Sequence, residues 1–212
     1  MNEVDPQARL DIMVSAMLSC VACPLSENRQ NVVPGTGPAN ANIMFIGEGP
    51  GANEDLEGYP FVGKSGRLLD ELLNMIGWNR KDVYITNTVK CRPPENRDPF
   101  ESELKICQEN WLDPQIAVIQ PSIIVPLGLH ALQRVIPGMK IGDARGKTFS
   151  RNGFTIFPTY HPAAALRQKR YKEILTEDFK QLPSLINNIL NKGLRTTVPP
   201  PTTDESHQIN LC

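Results

Sequence analysis

Short hydrophobic runs alternate along the chain with longer stretches in which hydrophobic residues recur at helical spacing. Four runs have strand length and contain mainly β-branched or aromatic residues; they cover residues 42–46, 83–86, 122–125 and 154–157. The first three are hydrophobic at nearly every position, a pattern typical of strands that are buried on both faces. Such strands belong to a parallel sheet, so the pattern predicts an α/β protein.

Five stretches show the hydrophobic spacing of helices: residues 6–18, 65–76, 101–120, 127–136 and 176–190. Helices placed between successive strands cover both faces of a mostly parallel sheet. The proline-rich residues near the end of the chain show no such spacing. We therefore expect one domain over residues 1–193 and a disordered tail over residues 194–212.

The composition is that of an ordinary globular protein. The 212 residues suffice for one domain with a full core, and the formal net charge is −1. No hydrophobic run approaches the roughly 20 residues that a membrane span requires. The acidic start of the chain lacks the basic residues of a signal peptide. We expect a cytosolic, monomeric protein with no membrane segment.

Charge is distributed unevenly along the chain. Residues 145–172 contain seven Lys or Arg and no Asp or Glu, whereas residues 101–113 contain four acids and one Lys. A basic segment of this kind favours contact with a nucleic-acid backbone, although a solvated basic face gives the same pattern.

Polar residues gather after three of the four predicted strands. They occupy residues 47–54, residues 87–96 and His161. Ligands of parallel sheets bind beyond the carboxyl ends of the strands. The sequence therefore predicts a functional site at this edge of the sheet.

Residues 58–65 match the P-loop pattern of nucleotide triphosphatases letter for letter. A P-loop must leave a strand directly, whereas the nearest predicted strand ends at Ile46, and Pro60 has no N–H group to offer a phosphate. These points disfavour nucleotide binding. What remains is a helix that begins at Lys64 and Ser65, whose free N–H groups can bind an anion such as a DNA phosphate.

Four cysteines can form one metal site. Cys20 and Cys23 are close together, and Cys91 and Cys107 follow much later in the chain. Two close ligands and two distant ones suit a sulfur site that holds either zinc or a 4Fe–4S cluster. Spacing alone favours zinc, and four unrelated buried thiols are the alternative. A metal here would have a structural role, because it would tie the N-terminal helix to the loop after the second strand.

Several segments together resemble the family 4 uracil-DNA glycosylases. They are residues 47–51, 58–66, 84–87, 90–97 and 161–163, in the order and with the spacing of that family. The similarity extends over about residues 20–190, and the four cysteines fall where the family holds its 4Fe–4S cluster, which changes the expected metal from zinc to iron–sulfur. The resemblance implies a three-layer α/β/α glycosylase fold with a central four-stranded, mostly parallel sheet.

The resemblance also implies a role for individual residues of a uracil pocket. Phe61 matches the aromatic residue that stacks on the uracil ring, and Asn87 matches the amide that recognises its polar edge. His161 matches the side chain that reaches O2, and Glu48 and Gly49 match the pocket floor. Taken singly, Phe61 would be interpreted as a core residue and Asn87 as a turn residue.

Catalysis is expected from His161 together with Glu54 and Asn96, which match positions implicated in the hydrolytic step. Gly49 stands where family 1 enzymes carry an activating Asp. We therefore assign the orientation of the water to Glu54, and the stabilisation of the leaving uracil to His161.

The predicted DNA contacts lie at the helix start formed by Lys64 and Ser65 and in the segment 163–172. Within that segment Leu166 is the expected apolar wedge and Arg167 an expected phosphate contact. An ordinary amphipathic surface helix is the alternative for this segment.

The function predicted from the sequence is excision of uracil from single- or double-stranded DNA by a monofunctional glycosylase, without a nucleotide cofactor. Uracil-containing DNA is the expected partner, and the abasic product would pass to downstream repair enzymes. The alternative is a non-catalytic or covalently trapping uracil-DNA-binding protein of the same superfamily. The trapping proteins carry Gln in the first motif and a reactive His in a basic loop. Here Gly49 and residues 96–99 provide neither.

Overall fold

A five-stranded sheet forms the centre of the protein, with the strand order β2-β1-β3-β5-β4. The computed structural model describes residues 5–191, so the tail predicted over residues 194–212 lies outside the described residues. The strands are β1 (Ile43–Gly47), β2 (Tyr84–Asn87), β3 (Ile123–Pro126), β4 (Phe149–Arg151) and β5 (Phe154–Ile156). β1, β2, β3 and β5 run parallel, and β1, β2 and β3 are buried at every position. The predicted mostly parallel sheet is confirmed.

The prediction of four strands is wrong, because β4 adds a fifth strand. It pairs antiparallel with β5 at the edge of the sheet. The two strands are joined by Asn152 and Gly153, which have φ angles of 51° and 81°. Asn-Gly is favoured in two-residue hairpin turns because both central positions need positive φ. β4 itself has only three partly or fully exposed residues, so it leaves no hydrophobic run in the sequence.

Nine helices accompany the sheet within the described residues. They are α1 (Pro6–Leu18), α2 (Ala52–Glu57), α3 (Lys64–Met75), α4 (Glu101–Cys107), α5 (Asp113–Ile119), α6 (Leu129–Val135), α7 (Ile141–Ala144), α8 (Pro162–Arg167) and α9 (Arg170–Asn191). Over residues 5–191, none of them combines the length and the hydrophobicity needed to cross a membrane.

Helices cover both faces of the sheet, which confirms the three-layer arrangement. Ile43 and Phe45 of β1 pack against α3 and α9, whereas Met44 and Ile46 pack against α1, α5 and α6. Successive side chains of a strand point to opposite faces, so a strand that is hydrophobic throughout has to be covered twice.

Local sequence signals account for most helix boundaries. α1 begins where the Asp5 carboxylate accepts a hydrogen bond of 3.3 Å from the Ala8 N–H, with Pro6 in the first turn. α3 buries a stripe of leucines and ends shortly before Gly77, which has a φ of 78°. The stretch predicted as a helix over residues 101–120 divides into α4, a π-helical turn and α5. α2 and α7 were not predicted, because they are too short to show a hydrophobic period. α8 falls in the segment for which a surface helix was the alternative interpretation.

Candidate active site

A cavity of about 420 Å³ opens at the carboxyl ends of β1 and β2. It brings together residues from strand ends, from helix termini and from the turn between α2 and α3. These residues are Glu48, Gly49, Glu54, Phe61, Ser65, Asn87, Asn96, His161 and Arg167. These residues lie close together because the parallel strands all end at the same edge of the sheet.

Gly47, the last residue of β1, allows two side chains to reach the floor of this cavity. A Cβ atom at this position would lie 2.3 Å from the side-chain oxygen of Asn87 and 2.7 Å from Cζ of Phe61. Both neighbours are nearly fully buried, with 2% of Asn87 and 5% of Phe61 exposed. The amide and the ring therefore approach the strand backbone so closely that any larger residue would displace at least one of them.

The ring of Phe61 is presented by a tight turn between α2 and α3. The φ angle of Phe61 is 55°, in the left-handed region that bulky residues rarely adopt. Glu54 fixes the residues that follow, because one carboxylate oxygen (Oε1) accepts from the N–H groups of Val62 and Gly63, both at 3.0 Å. The other oxygen (Oε2) accepts from Gly51 N–H at 3.1 Å.

These contacts settle what the P-loop-like segment does in the folded protein. Its N–H groups at Val62 and Gly63 bind the Glu54 carboxylate of the same chain, and α2 rather than a strand precedes the segment. The Oε1 atom of Glu54 accepts two hydrogen bonds, whereas Oε2 accepts one and retains a lone pair for a further donor. Glu54 thus holds the turn and can still orient one water molecule.

His161 forms a second wall of the cavity, beside the Phe61 ring and immediately before α8. Its Nδ1 atom accepts a hydrogen bond of 3.1 Å from the Ala163 N–H. Burial lowers the pKa of His161 from 6.5 to about 4, so the imidazole is neutral at physiological pH. With Nδ1 acting as an acceptor, the proton resides on Nε2, which can donate to a ligand. The imidazole and the ring of Phe61 stack with their centroids 5.5 Å apart.

The loop after β2 forms a third wall of the cavity. Asn96 accepts a hydrogen bond of 2.8 Å from Nε of Arg92, which orients its amide and leaves the NH2 group to be offered to a ligand. The guanidinium of Arg97 binds both carboxylate oxygens of the buried Glu103, at 2.9 and 2.7 Å. This pairing lowers the pKa of Glu103 and keeps Arg97, which the sequence reading did not single out, in place at the cavity.

The predicted DNA contacts lie around the rim. Ser65 and Arg167 line the cavity, and Lys64 is exposed at the first residue of α3. Leu166 has 51% of its surface exposed on α8, which packs against α3. A single face of the protein therefore carries two cationic residues and one exposed aliphatic side chain beside the cavity.

A group of three ionisable side chains lies beside the floor of the cavity. Nε2 of His130 is 3.8 Å from a carboxylate oxygen of Glu48 and 3.7 Å from one of Asp98. Burial raises the pKa of Glu48, and His130 opposes that shift. The three groups link the loop after β1 to the loop after Asn96.

The four predicted metal ligands surround a second, small cavity on the α1 side of the protein. Cys20, Cys23, Cys91 and Cys107 all line it, and none of these four described cysteines forms a disulfide. Cationic and polar N–H groups point at the sulfurs: Arg29 donates to Sγ of Cys91 at 3.3 Å, and the indole of Trp111 donates to Sγ of Cys20 at 3.2 Å. Such donors stabilise thiolates that are bound to a metal.

The sulfur atoms of the four cysteines are not tightly grouped. Within residues 5–191, the metal-binding side chains whose ligand atoms all lie within 4.8 Å of one another are Glu48, Asp98 and His130. The cysteines therefore form a wider arrangement, in which no three sulfur atoms are mutually that close. A tetrahedral zinc with Zn–S bonds of about 2.3 Å would hold its sulfurs only about 3.8 Å apart.

Comparison with known proteins identifies the family. The model of the uracil DNA glycosylase superfamily matches residues 34–182. The chain belongs to this superfamily. It is 46% identical to a type-4 uracil-DNA glycosylase of Saccharolobus solfataricus over 84% of this chain and 87% of that protein. It is 43% identical to a type-4 uracil-DNA glycosylase of Thermotoga maritima, over 84% of this chain and 94% of that protein.

Membership of the type-4 uracil-DNA glycosylases, expected from the motifs, is thus confirmed. Three residues at the glycosylase pocket were not predicted as site residues: Gly47, Arg80 and Arg97. The signal for Gly47 was a glycine that ends a buried strand, a position that often marks a close approach of another group. For Arg80, which contacts the backbone of the Phe61 turn, the sequence holds no comparable signal.

Proposed function

We propose that the protein is a monofunctional uracil-DNA glycosylase. It binds uracil flipped out of single- or double-stranded DNA, hydrolyses the N-glycosidic bond and leaves an abasic site. The observation that carries the proposal is the convergence of Phe61, Asn87 and a neutral His161 on one cavity. The names of its type-4 relatives support the same reaction.

Stacking offsets the cost of extruding the base. Flipping a nucleotide costs a few kcal/mol, and an aromatic side chain returns about 1–3 kcal/mol by stacking. Phe61 is suited to this, because its ring is fixed at the bottom of the cavity against Gly47 and beside His161.

Asn87 provides the selection for uracil. Its amide can accept from the N3–H group of uracil and donate to O4, whereas cytosine presents the reverse pattern of donors and acceptors. The side chain is only 2% exposed, so a mismatched base would leave buried polar groups unpaired. Sites of this kind discriminate by roughly 10⁴–10⁵.

His161 stabilises the leaving group. Cleavage of the glycosidic bond places negative charge on uracil O2 and positive charge on the sugar. The Nε2–H group of the neutral imidazole donates to O2 and strengthens its interaction as that charge develops. Because its pKa is about 4, His161 acts as a hydrogen-bond donor and not as an acid that transfers a proton.

Glu54 and Asn96 are proposed to handle the water. Oε2 of Glu54 has room for one more donor, and the carboxylate can also stabilise the positive charge on the sugar. Asn96 would hold the same water through its amide. In contrast to the expectation from sequence alone, the same Glu54 side chain also supports the Phe61 turn.

The rim residues are proposed to hold the DNA. Lys64, Ser65 and Arg167 would bind phosphates, and Leu166 would fill the space that the flipped base vacates. The exposed position of Leu166 suits this role. We further propose that the protein acts as a monomer and releases the abasic product to other repair enzymes.

We propose that Cys20, Cys23, Cys91 and Cys107 hold a 4Fe–4S cluster. The four thiols line one small cavity, an all-thiol donor set suits a 4Fe–4S cluster, and the type-4 relatives support the same assignment. When bound, the cluster supplies a rigid cross-link and no step of the hydrolysis. The cross-link joins the end of α1 to the loop that follows Asn87.

The proposed activity is tested with a labelled oligonucleotide that contains one uracil, followed by alkaline cleavage of abasic sites. Strand breaks at the uracil, and none at cytosine or thymine in the same context, are expected. The variant His161→Ala should lose most of the rate. A covalent protein–DNA adduct that resists denaturation, without strand breaks, would instead identify a trapping uracil-DNA-binding protein.

A further inference from the structure

The backbone of Phe61 needs external support to stay where it is. Its φ of 55° is a conformation that aromatic residues rarely adopt, and Gly66 packs directly on its carbonyl group. A Cβ atom at Gly66 would lie 1.6 Å from that carbonyl oxygen. The position of the ring therefore depends on groups that hold this turn.

Arg80 holds the two carbonyl groups of the turn. It lies in a short 3₁₀ turn just before β2, far from Phe61 in the sequence. Its guanidinium donates to the carbonyl of Pro60 at 2.9 Å and also to the carbonyl of Phe61. Asp70 of α3 orients the guanidinium, since it accepts from Nε at 2.7 Å and from Nη2 at 3.4 Å.

The turn is thus held from two sides by opposite charges. Arg80 binds the carbonyl groups of residues 60 and 61, and Glu54 binds the N–H groups of residues 62 and 63. Carbonyl groups carry partial negative charge and N–H groups partial positive charge, so each charged side chain has the sign that its side of the turn requires. Glu54 lies in the cavity, whereas nothing in the assigned chemistry employs Arg80.

We propose that Arg80, oriented by Asp70, is a positioning residue that sets the Phe61 ring for stacking on the flipped base. The proposal rests on the proposed glycosylase function. Arg80 touches neither the base nor the reacting atoms and acts through Phe61 alone. Its loss should therefore weaken binding of DNA that carries a base for the pocket, and leave binding of abasic DNA unchanged.

The test compares two DNA ligands by fluorescence anisotropy. One carries 2′-fluoro-2′-deoxyuridine, which resists hydrolysis, and the other carries a tetrahydrofuran abasic analogue at the same place. For Arg80→Met we expect roughly tenfold weaker binding of the uridine DNA, as for a lost stacking contact, and less than about a twofold change for the abasic DNA. Asp70→Asn, which keeps the arginine, should show a smaller loss of the same kind.

A double-mutant cycle shows whether Arg80 acts through Phe61. In single-turnover excision, Arg80→Met should slow the parent roughly tenfold but should change the Phe61→Ala protein by less than about twofold. Arg80→Lys, which keeps the cation but cannot reach both carbonyls and Asp70 together, should be intermediate. The matched control is Arg134→Met, because Arg134 forms a similar two-point pair with Glu101, at 2.7 and 3.1 Å, away from the turn.

The outcomes separate this proposal from the function on which it rests. The positioning role would be overturned if Arg80→Met lost equal affinity for both DNA ligands. It would also be overturned if this substitution slowed excision equally in the parent and in the Phe61→Ala protein. Either outcome leaves excision by the parent intact. Failure of the parent to excise uracil would overturn the proposed function itself, and this inference with it.

Discussion

The ammonium group of Lys90 donates a hydrogen bond of 2.7 Å to the backbone carbonyl of Asn87, the residue proposed to recognise the edge of uracil. It donates a second bond of 2.6 Å to the hydroxyl of Thr86, and Lys90 itself is only 1% exposed. Both acceptors belong to the last two positions of β2. A buried cation therefore holds the backbone from which the recognition side chain extends.

Replacing Lys90 with Met should lower both the stability of the protein and the rate of uracil excision. The variant leaves the Asn87 carbonyl and the Thr86 hydroxyl without their donor, at a cost of about 1–3 kcal/mol. We expect a thermal midpoint lowered by roughly 2–10 °C and an excision rate lowered about tenfold.

The matched control is Lys105→Met, because Lys105 forms a surface pair of 3.9 Å with Glu109. Iron content is measured in both variants, since Lys90 adjoins Cys91. Indistinguishable melting and excision in the two variants would contradict the prediction.

Gly47→Ala should lower the excision rate strongly, and crowding at the buried pocket floor should also lower the free energy of unfolding by about 1–3 kcal/mol. The added methyl group would meet Asn87 and Phe61 at 2.3 and 2.7 Å, so both must shift within the pocket. A displacement of about 1 Å at a reacting centre costs about 100-fold in rate, which is the loss we expect in single-turnover excision. Gly142→Ala is the control, since the nearest atom to its added methyl group lies 4.0 Å away. Equal activity of the two variants would refute the crowding argument.

The lowered pKa of His161 makes the free energy of unfolding depend on pH. Its pKa is about 4 in the folded protein and 6.5 for an unperturbed imidazole, so between these values the unfolded chain binds a proton that the folded protein does not. Stability contributed by neutral His161 is thus present above pH 6.5 and is lost as pH falls towards 4, up to about 3 kcal/mol.

Urea unfolding at several pH values compares the parent with His161→Gln. The variant should show a shallower decline between pH 6.5 and 4. Excision by the parent should also fail near pH 4, because a protonated Nδ1 can no longer accept from Ala163. If the free energy of unfolding declined equally with falling pH in both proteins, folding would not lower the pKa of His161.

The proposed cluster predicts the metal content of the purified protein. We expect about four irons and almost no zinc per chain, with visible absorbance, because four thiols line one site. Cys107→Ser should lose most of the iron and should melt at a lower temperature, because the cross-link between α1 and the loop after Asn87 is broken. Cys212→Ser, the fifth cysteine of the sequence, is the control and should retain its iron. One zinc per chain would overturn the cluster assignment and leave the glycosylase proposal intact.

Leu166→Ala should affect duplex DNA more than single strands. A wedge stabilises the gap left in a base stack, and a single strand has little stacking to restore. We expect roughly tenfold slower excision from a duplex and less than about twofold from a single strand. Leu190→Ala, which alters a leucine 40% exposed on α9, should leave both rates unchanged. A uniform loss on both substrates, or no loss on either, would contradict the wedge role of Leu166.

The layers of the fold could be predicted because β1 is hydrophobic at consecutive positions and so requires cover on both faces. Convergence of Phe61, Asn87 and His161 could also be anticipated, since the topology brings the strand ends to one edge. β4 could not be predicted, because three residues that are partly or fully exposed produce no hydrophobic run.

Two features of the pocket have no counterpart in the sequence pattern. Arg80 recognises backbone carbonyls, and any residue at positions 60 and 61 supplies those groups. Glu54 looks like an exposed loop acid in the sequence, and its role in the turn depends on the path of the backbone eight residues later. Interactions of side chains with distant backbone become visible only when the fold is known.

The carboxylate of Glu54 occupies the place that a phosphate would take in a nucleotide-binding loop. Because it is tethered to the same chain, its effective concentration at the turn far exceeds that of any dissolved anion. The amides of Val62 and Gly63 are therefore occupied and do not bind inorganic phosphate or ATP. The rate of uracil excision should therefore be the same at high and at low ATP concentration. A search for nucleotide triphosphatases by the Gly-Lys-Ser pattern would assign such chains to the wrong class of enzyme.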